Sequence, residues 1–146
     1  MHWYSYNEGV AIARSNGKKI LLNAHAYWCP YAVDMKHQTY SNPSVINFIQ
    51  SHFVPIQVED NFECGSFIEY NHEKMNSIQF LENELNVKSF PVAVFCESDG
   101  RTIESVPGYI KPNVFLYVLL YFSQDKYKFE TLDGFLKQNG IQEGIQ

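Results

Sequence analysis

Residues 27–32 read Tyr-Trp-Cys-Pro-Tyr-Ala and lie between a strand-like and a helix-like segment. The preceding run, 19–26 (KILLNAHA), is mostly apolar and has the length of a buried central strand. Pro30 suits the first position of a helix, so the pattern predicts a helix that begins next to Cys29. A cysteine at a helix N-terminus meets free backbone N–H groups and the positive end of the helix dipole, which favour a thiolate.

The remaining sequence predicts alternating helices and strands. Their order predicts an α/β fold with a central mixed β-sheet of about four to five strands and helices on both faces. Strands joined through helices are expected to be parallel, and the last two strands to form a hairpin. The segment 60–75 is polar and predicts no regular element. The predicted helices are 7–15, 44–51, 77–85, 111–123 and 132–138, and the further strands are 53–58, 91–96 and 102–106.

Length and composition restrict the class of protein. A chain of 146 residues with 45% hydrophobic and 16% aromatic residues predicts a single domain over 1–146 with its own core. The net charge of -5 offers no basic patch, so a nucleic-acid partner is not expected. The longest apolar run, 114–122, falls short of the roughly 20 residues that cross a bilayer, so it predicts a buried helix and no membrane insertion.

The compartment is left open by the sequence. No signal peptide is visible. Two alternatives follow: the protein is cytoplasmic if Met1 is its native start, or it is periplasmic or secreted after a leader has been removed.

Four features of the sequence occur together: the strand–turn–helix around 27–32, the segment 87–91 (VKSFP) before a strand, the Asp99-Gly100 hairpin turn, and Gly108 after the last strand. With these features the chain resembles the thioredoxin superfamily, from Trp3 to about Phe122. The resemblance implies a thioredoxin-like fold with thiol–disulfide chemistry at Cys29. It also implies a cis peptide bond before Pro91.

Two positions depart from the pattern of that superfamily. Ala32 stands where a second cysteine would release a mixed disulfide formed by the first. Asn23 stands six residues before Cys29, where thioredoxin carries a buried acid that helps to deprotonate the second thiol. An engineered Ala32 that traps a mixed disulfide is an alternative, but Asn23 weighs against it because a trap needs only one change.

The sequence therefore predicts a monothiol thiol–disulfide oxidoreductase or isomerase that forms mixed disulfides through Cys29. Its partners would be a disulfide-containing or thiol protein, or a glutathione-like thiol. The alternative is a redox-inactive module that binds a protein partner or client peptide in the groove beside a cis-proline. No cofactor is expected in either case.

Five residues are candidates for substrate binding. Trp28 and Tyr31 would form an apolar platform beside the thiol, unless they are ordinary core aromatics. Pro30 would fix the start of the helix. A cis Pro91 would expose the backbone of Phe90 as an edge for an extended peptide, whereas a trans proline would simply begin a strand.

The chain has three cysteines, so at least one thiol is free or pairs between molecules. Cys29 is the predicted nucleophile, with an inert buried cysteine as the alternative. Cys64 follows the strand that ends at Val58 within a reach of about 20 Å, and it is either a second, releasing thiol or an ordinary loop cysteine. Cys96 is predicted to be a small buried apolar side chain.

The histidines and acids near the predicted site suggest less specific chemistry. A metal site is not expected, because His25, His37 and His72 lack the paired spacing of structural zinc ligands. His25 is instead predicted to lie on the strand near the edge of the site, where it would tune the Cys29 thiolate. Residues 59–60 (ED) end a strand at the same edge and are either catalytic or solvated loop acids.

Overall fold

The computed structural model describes residues 1–61 and 67–142. In chain order the elements are α1 (Tyr6–Asn16), β1 (Lys19–His25), α2 (Pro30–Gln38), α3 (Pro43–His52), β2 (Phe53–Glu59), β3 (Ile68–Tyr70), β4 (Glu73–Met75), α4 (Ser77–Gln79), β5 (Val92–Cys96), β6 (Thr102–Pro107), α5 (Pro112–Ser123) and α6 (Leu132–Gln138). A π-helical turn over Phe80–Glu84 continues α4, and a 3₁₀ turn over Lys126–Lys128 lies between α5 and α6.

The central sheet has four strands in the order β2-β1-β5-β6. Strand β1 runs parallel to β2, with Lys19 beside Phe53 and His25 beside Glu59. It runs antiparallel to β5, and β5 and β6 form the closing antiparallel hairpin. The predicted α/β fold with a mixed sheet is therefore confirmed, including the parallel pair and the hairpin.

The segment 60–75 differs from the prediction of no regular element. Strands β3 and β4 pair there as a second, two-stranded antiparallel sheet. Asn71 and His72 form the turn between them with positive φ angles of 51° and 67°. Strands of three residues are too short to display a period of two, which is why the sequence pattern did not reveal them.

The helix predicted over 77–85 exists only in part as an α-helix. Its first three residues are α-helical, and the following five form the π-helical turn, closed by the bond from the Leu85 N–H to the Phe80 carbonyl oxygen at 3.1 Å. Phe80 and Leu81 of this segment are fully buried, whereas Ile78 and Leu85 are only partly buried. The apolar spacing of the sequence did not distinguish the two helix types.

Helices cover both faces of the central sheet, as predicted. On one face α2, α3, α5 and α6 pack against strand residues that include Leu21, Phe53 and Phe95. On the other face α1 and the β3–β4 hairpin pack against residues that include Ile20 and Leu22. Side chains alternate along a strand, so Asn23 and His25 share the face of Leu21 and lie on the side of α2.

The predicted buried helix is α5, in which Val114, Phe115 and Val118 are among the fully or almost fully buried residues. No helix in residues 1–61 and 67–142 is long and apolar enough to span a bilayer.

Two polar side chains, Asn42 and Thr39, make hydrogen bonds at the start of α3 and the end of α2. Asn42 caps α3, as its position before Pro43 predicts, and its side-chain oxygen accepts hydrogen bonds from the Ser44 and Val45 N–H groups at 3.0 and 3.2 Å. At the end of α2 the buried Thr39 hydroxyl donates to the Ile110 carbonyl oxygen, which ties this helix to the segment before α5. The orientation of α2, and so of its N-terminus, is thereby fixed against the core.

Candidate active site

Cys29 is the N-cap residue of α2 and is partly exposed. Its backbone is extended, with φ -104° and ψ 114°, and its carbonyl oxygen accepts the Val33 N–H at 3.1 Å. Its own N–H donates to the Ala26 carbonyl oxygen at 3.1 Å. Pro30 occupies the first helical turn, so the predicted helix start is confirmed. The alternative of a fully buried Cys29 is wrong.

The Cys29 thiol faces a loop that is distant in sequence. Its Sγ lies 3.2 Å from the Phe90 carbonyl oxygen, to which the S–H donates. The Phe90–Pro91 peptide bond is cis. Strand β5 begins at the next residue, Val92, which is paired with Ala24 of β1, so the sheet itself carries the proline loop to the thiol.

Trp28 and Tyr31 are both surface residues, with 67% and 60% of their surface exposed. The interpretation of these two as core aromatics is therefore wrong. The Trp28 indole donates from Nε1 to Asp60 Oδ2 at 3.0 Å and meets the Phe90 ring edge to face, with centroids 5.6 Å apart. An exposed aromatic side chain is thus held in one orientation beside the thiol.

The acids at the end of β2 have defined structural partners. Glu59 accepts from Gln57 Nε2 at 2.8 Å and from Asn61 Nδ2 at 3.2 Å. A hydrogen bond to the Glu59 carboxylate, together with its charge, raises the pKa of the Tyr27 phenol. Asp60 holds Trp28. Neither acid is simply a solvated loop residue.

The Trp28–Asp60 hydrogen bond is a contact that the sequence analysis missed. The two residues are 32 positions apart. A signal was present, because parallel β1 and β2 end side by side and Asp60 directly follows β2. The Asp60 N–H in fact donates to the His25 carbonyl oxygen at 2.8 Å, so the chain after β2 passes next to the end of β1.

The positions that depart from the expected pattern lie behind the thiol. Ala32 is 1% exposed and Asn23 is 1% exposed. Ala32 lies on the buried side of α2, and Asn23 lies on the sheet face that α2 covers. Neither side chain contains sulfur, so neither can form a disulfide.

Comparison with known proteins places the chain in a family. The family model described as a thioredoxin-like domain matches residues 6–123. The chain belongs to the thioredoxin-like domain family. No curated protein sequence matches it significantly.

Solved structures share this thioredoxin-like fold. A thioredoxin-fold protein from Helicobacter pylori superposes with a TM-score of 0.69 at 24% identity, covering 86% of each chain. A thioredoxin from Thermus thermophilus superposes with a TM-score of 0.68 at 22% identity, covering 84% of this chain and 86% of its own. A protein described as the DsbH oxidoreductase gives 0.67 at 18%, covering 89% and 86%. Because each of these proteins is less than 25% identical to this chain, the similarity shows the fold alone.

The other two cysteines of the chain are Cys96 and Cys64, and among the described residues Cys96 is a free thiol, as Cys29 is. Cys96 lies on β5 beside Ile20 and is 2% exposed, as predicted for a small buried side chain. Burial raises the pKa of the Cys96 thiol to about 12, although a hydrogen bond with Thr102 opposes the shift. Cys64 lies outside the described residues, so its role as a releasing thiol stays a prediction.

The histidines, cysteines and acids of the described chain do not gather as metal ligands. Within its two ranges, no group of three or more such side chains could hold a metal ion.

Proposed function

We propose that this thioredoxin-like domain is a monothiol thiol–disulfide oxidoreductase or isomerase that forms mixed disulfides through Cys29. The observation that supports this best is a partly exposed thiol at the N-cap of α2, held 3.2 Å from the Phe90 carbonyl oxygen. Free N–H groups at a helix N-terminus favour the thiolate, which is the form that attacks a disulfide. The DsbH protein, which has the same fold, is described as an oxidoreductase.

The first chemical step follows from the single thiol. The Cys29 thiolate attacks one sulfur of a substrate disulfide, a new S–S bond forms, and the other substrate sulfur leaves as a thiolate that takes up a proton. Release needs a second thiol, and Ala32 has no sulfur. The mixed disulfide would be attacked by an external glutathione-like thiol, by a second thiol of the substrate or by Cys64. Attack by a second thiol of the substrate amounts to isomerisation of the substrate disulfide.

The surface around the thiol supports a peptide substrate. Trp28 and Tyr31 expose aromatic faces next to Cys29 in the chain, and Phe90 packs against the indole. Aromatic side chains of this kind contribute contact area at a small cost in conformational entropy. In the proposed complex Pro30 keeps the helix start in place, and Pro91 keeps the Phe90 carbonyl next to the reacting sulfur.

Turnover of a glutathionylated peptide tests the proposal. With excess external thiol, the wild-type protein is expected to accelerate release of glutathione, and Cys29→Ser is expected to abolish that acceleration. Cys96→Ser is the matched control, since that thiol is buried and its loss should leave the activity unchanged. Equal rates for wild type and Cys29→Ser would contradict the proposal.

The same assay decides the role of Cys64. If Cys64 is the releasing thiol, Cys64→Ser accumulates the Cys29 mixed disulfide and slows turnover at low external thiol. Unchanged turnover removes Cys64 from the mechanism.

A redox-inactive binding module is the second candidate, and the fixed indole of Trp28 favours it. Its hydrogen bond to Asp60 orders an exposed aromatic side chain without any contribution from the thiol. For a module of this kind, Trp28→Ala weakens binding of a hydrophobic client peptide, Cys29→Ser leaves binding intact, and no mixed disulfide forms. If Cys29→Ser loses peptide binding and Trp28→Ala keeps it, this second function is contradicted.

A further inference from the structure

An open cavity lies between the edge strand β6 and the chain that follows α5. Its volume is about 600 Å³. None of the described residues that line it belongs to the proposed thiol site, so the cavity is a separate feature of the domain. Its lining combines three aromatic residues with three carboxylates: Tyr121, Tyr127, Phe129, Glu104, Glu130 and Asp133.

Two of the three carboxylates have no counter-charge. Lys137 pairs with Asp133 at 3.0 Å, whereas Glu104 and Glu130 make no ion pair with any described residue. Oε1 of Glu130 is buried and has no hydrogen-bond partner in the described part of the chain. Water screens a buried charge poorly, so the Glu130 carboxylate acts on its surroundings more strongly than an exposed one does.

The two unpaired carboxylates act on the same part of the cavity. Tyr121 is 1% exposed, and its hydroxyl donates to the Glu130 carbonyl oxygen at 2.6 Å. Burial raises the pKa of the Tyr121 phenol, and the negative charges of Glu104 and Glu130 raise it further. Burial also raises the pKa of Glu104, because its negative charge is poorly solvated there. A cation beside Tyr121 would stabilise both carboxylates.

The aromatic residues supply the other half of a cation site. The face of an aromatic ring attracts ammonium and guanidinium groups. Tyr127 already holds a cation in this way, since Lys128 Nζ lies 5.9 Å from its ring centroid. Lys128 also lies 3.8 Å from Asp125, outside the set of lining residues, so it does not fill the cavity. Phe129 is 84% exposed and leaves an apolar ring available to a ligand.

The spacing of the carboxylates favours an organic cation over a metal ion. A metal ion needs several ligand atoms within about 2.0–2.6 Å. In residues 1–61 and 67–142 no group of three or more His, Cys, Asp or Glu side chains could hold one. An ammonium or guanidinium group is larger and reaches carboxylates through N–H groups at about 2.7–2.9 Å. The apolar stem that carries such a group packs well on aromatic side chains.

We propose that this cavity binds an ammonium or guanidinium group carried on an apolar stem, as in a basic side chain of a peptide or a free alkylamine. In the complex the cation lies between Glu104 and Glu130, and the stem packs against Phe129. Binding is reversible and forms no covalent bond. The inference does not depend on Cys29, so it stands or falls separately from the proposed function.

NMR titration of the full chain at constant ionic strength tests the proposal. The two probes are n-butylammonium and a blocked Gly-Lys-Gly tripeptide, and the same tripeptide with an acetylated lysine is the neutral control. Glu104→Gln and Glu130→Gln each remove one charge, and Phe129→Leu removes the ring but keeps an apolar side chain. Glu82→Gln is the matched control, because Glu82 is exposed on the π-helical turn and does not line the cavity.

Both charged probes are expected to give saturable shifts in the amides of 121–133, with a Kd on the order of 1 mM. Each Glu→Gln change at the cavity should weaken binding roughly 3-fold or more at low ionic strength. Phe129→Leu should weaken it by about 2- to 5-fold, and Glu82→Gln should leave it unchanged. Tighter binding of the tripeptide assigns the cavity to peptide side chains, whereas equal binding of the two probes assigns it to free amines.

The inference is overturned if neither charged probe gives saturable shifts below about 10 mM. Equal binding of the acetylated tripeptide also overturns it, because the cation would then contribute nothing. An equal loss in Glu82→Gln has the same consequence, since it would report the net charge of the protein rather than this cavity. If a cavity variant does not fold, the comparison of the charged and acetylated tripeptides on the wild-type protein decides alone.

Discussion

Replacing Ala32 by cysteine should convert the proposed monothiol site into a dithiol site. Cys29 caps α2, and position 32 lies three residues further along that helix. Helix geometry separates the Cα atoms of such a pair by about 5 Å. Disulfides need roughly 4.4–6.8 Å between Cα atoms, so a bond between positions 29 and 32 is possible with little backbone movement.

The expected gain comes from the proximity of the second thiol. Even a short flexible link gives an effective concentration on the order of 1 mM, and a helix turn is less flexible than that. With external thiol at about 10 μM, release of a Cys29 mixed disulfide by the thiol introduced at position 32 should then be at least ~100-fold faster than release from the parent protein. The added sulfur enters a site that is 1% exposed, so a stability loss of about 1–3 kcal/mol is expected as well.

The assay loads Cys29 with thionitrobenzoate and follows its release by absorbance. The background is Cys64→Ser, which removes the Cys64 thiol. The remaining thiol besides Cys29 is Cys96, which is buried. Ala32→Ser is the matched control, because it adds an atom of similar position without a thiol. The account holds that release is slow only because position 32 has no thiol. It is refuted if Ala32→Cys releases the label no faster than Ala32→Ser.

Three further predictions concern stability and are measured by urea unfolding. Asn42→Ala should lower the unfolding free energy by about 1 kcal/mol because two cap bonds are lost, whereas Ser44→Ala keeps both bonds and should change little. The pKa of His25 is lowered in the folded state, so the unfolded chain binds more protons as the pH falls. The free energy of unfolding should therefore be constant above about pH 6.5 and decline below it, and His25→Phe should flatten that decline. A parallel decline in both proteins would contradict the lowered pKa of His25. Gly9→Ala should lower stability by roughly 1 kcal/mol, because the new Cβ overlaps the Ile56 side chain and this outweighs the gain in helix propensity; a stabilised variant would show that Ile56 moves away at no cost.

The sequence predicted the framework of the site well, because the relevant signals are local. Pro30 and the Asn42–Pro43 pair mark helix starts by their own backbone chemistry, and both starts are observed. The apolar run of β1 is buried as a central strand should be. Each of these features depends on residues that are neighbours in the chain, so a single sequence contains the information.

Contacts that depend on sheet register were harder to predict. The bond between Trp28 and Asp60 and the pairing of Asn23 with Gln57 join residues that meet only when β1 and β2 align. The exposure of Trp28 was likewise undecided, because an aromatic residue in an aromatic-rich chain fits a core as well as a surface. Such features follow from the packing of whole elements and have no local pattern.

Peptide mapping after reaction of the reduced protein with oxidised glutathione is the measurement on which the proposed function depends. The site geometry predicts a glutathione adduct on Cys29, formed faster as the pH rises, with Cys96 unmodified because it is buried. The adduct should persist until an external thiol is added, unless Cys64 releases it. A protein that stays unmodified at Cys29 while its fold is intact would contradict the assignment of Cys29 as a reactive thiol and favour the binding module.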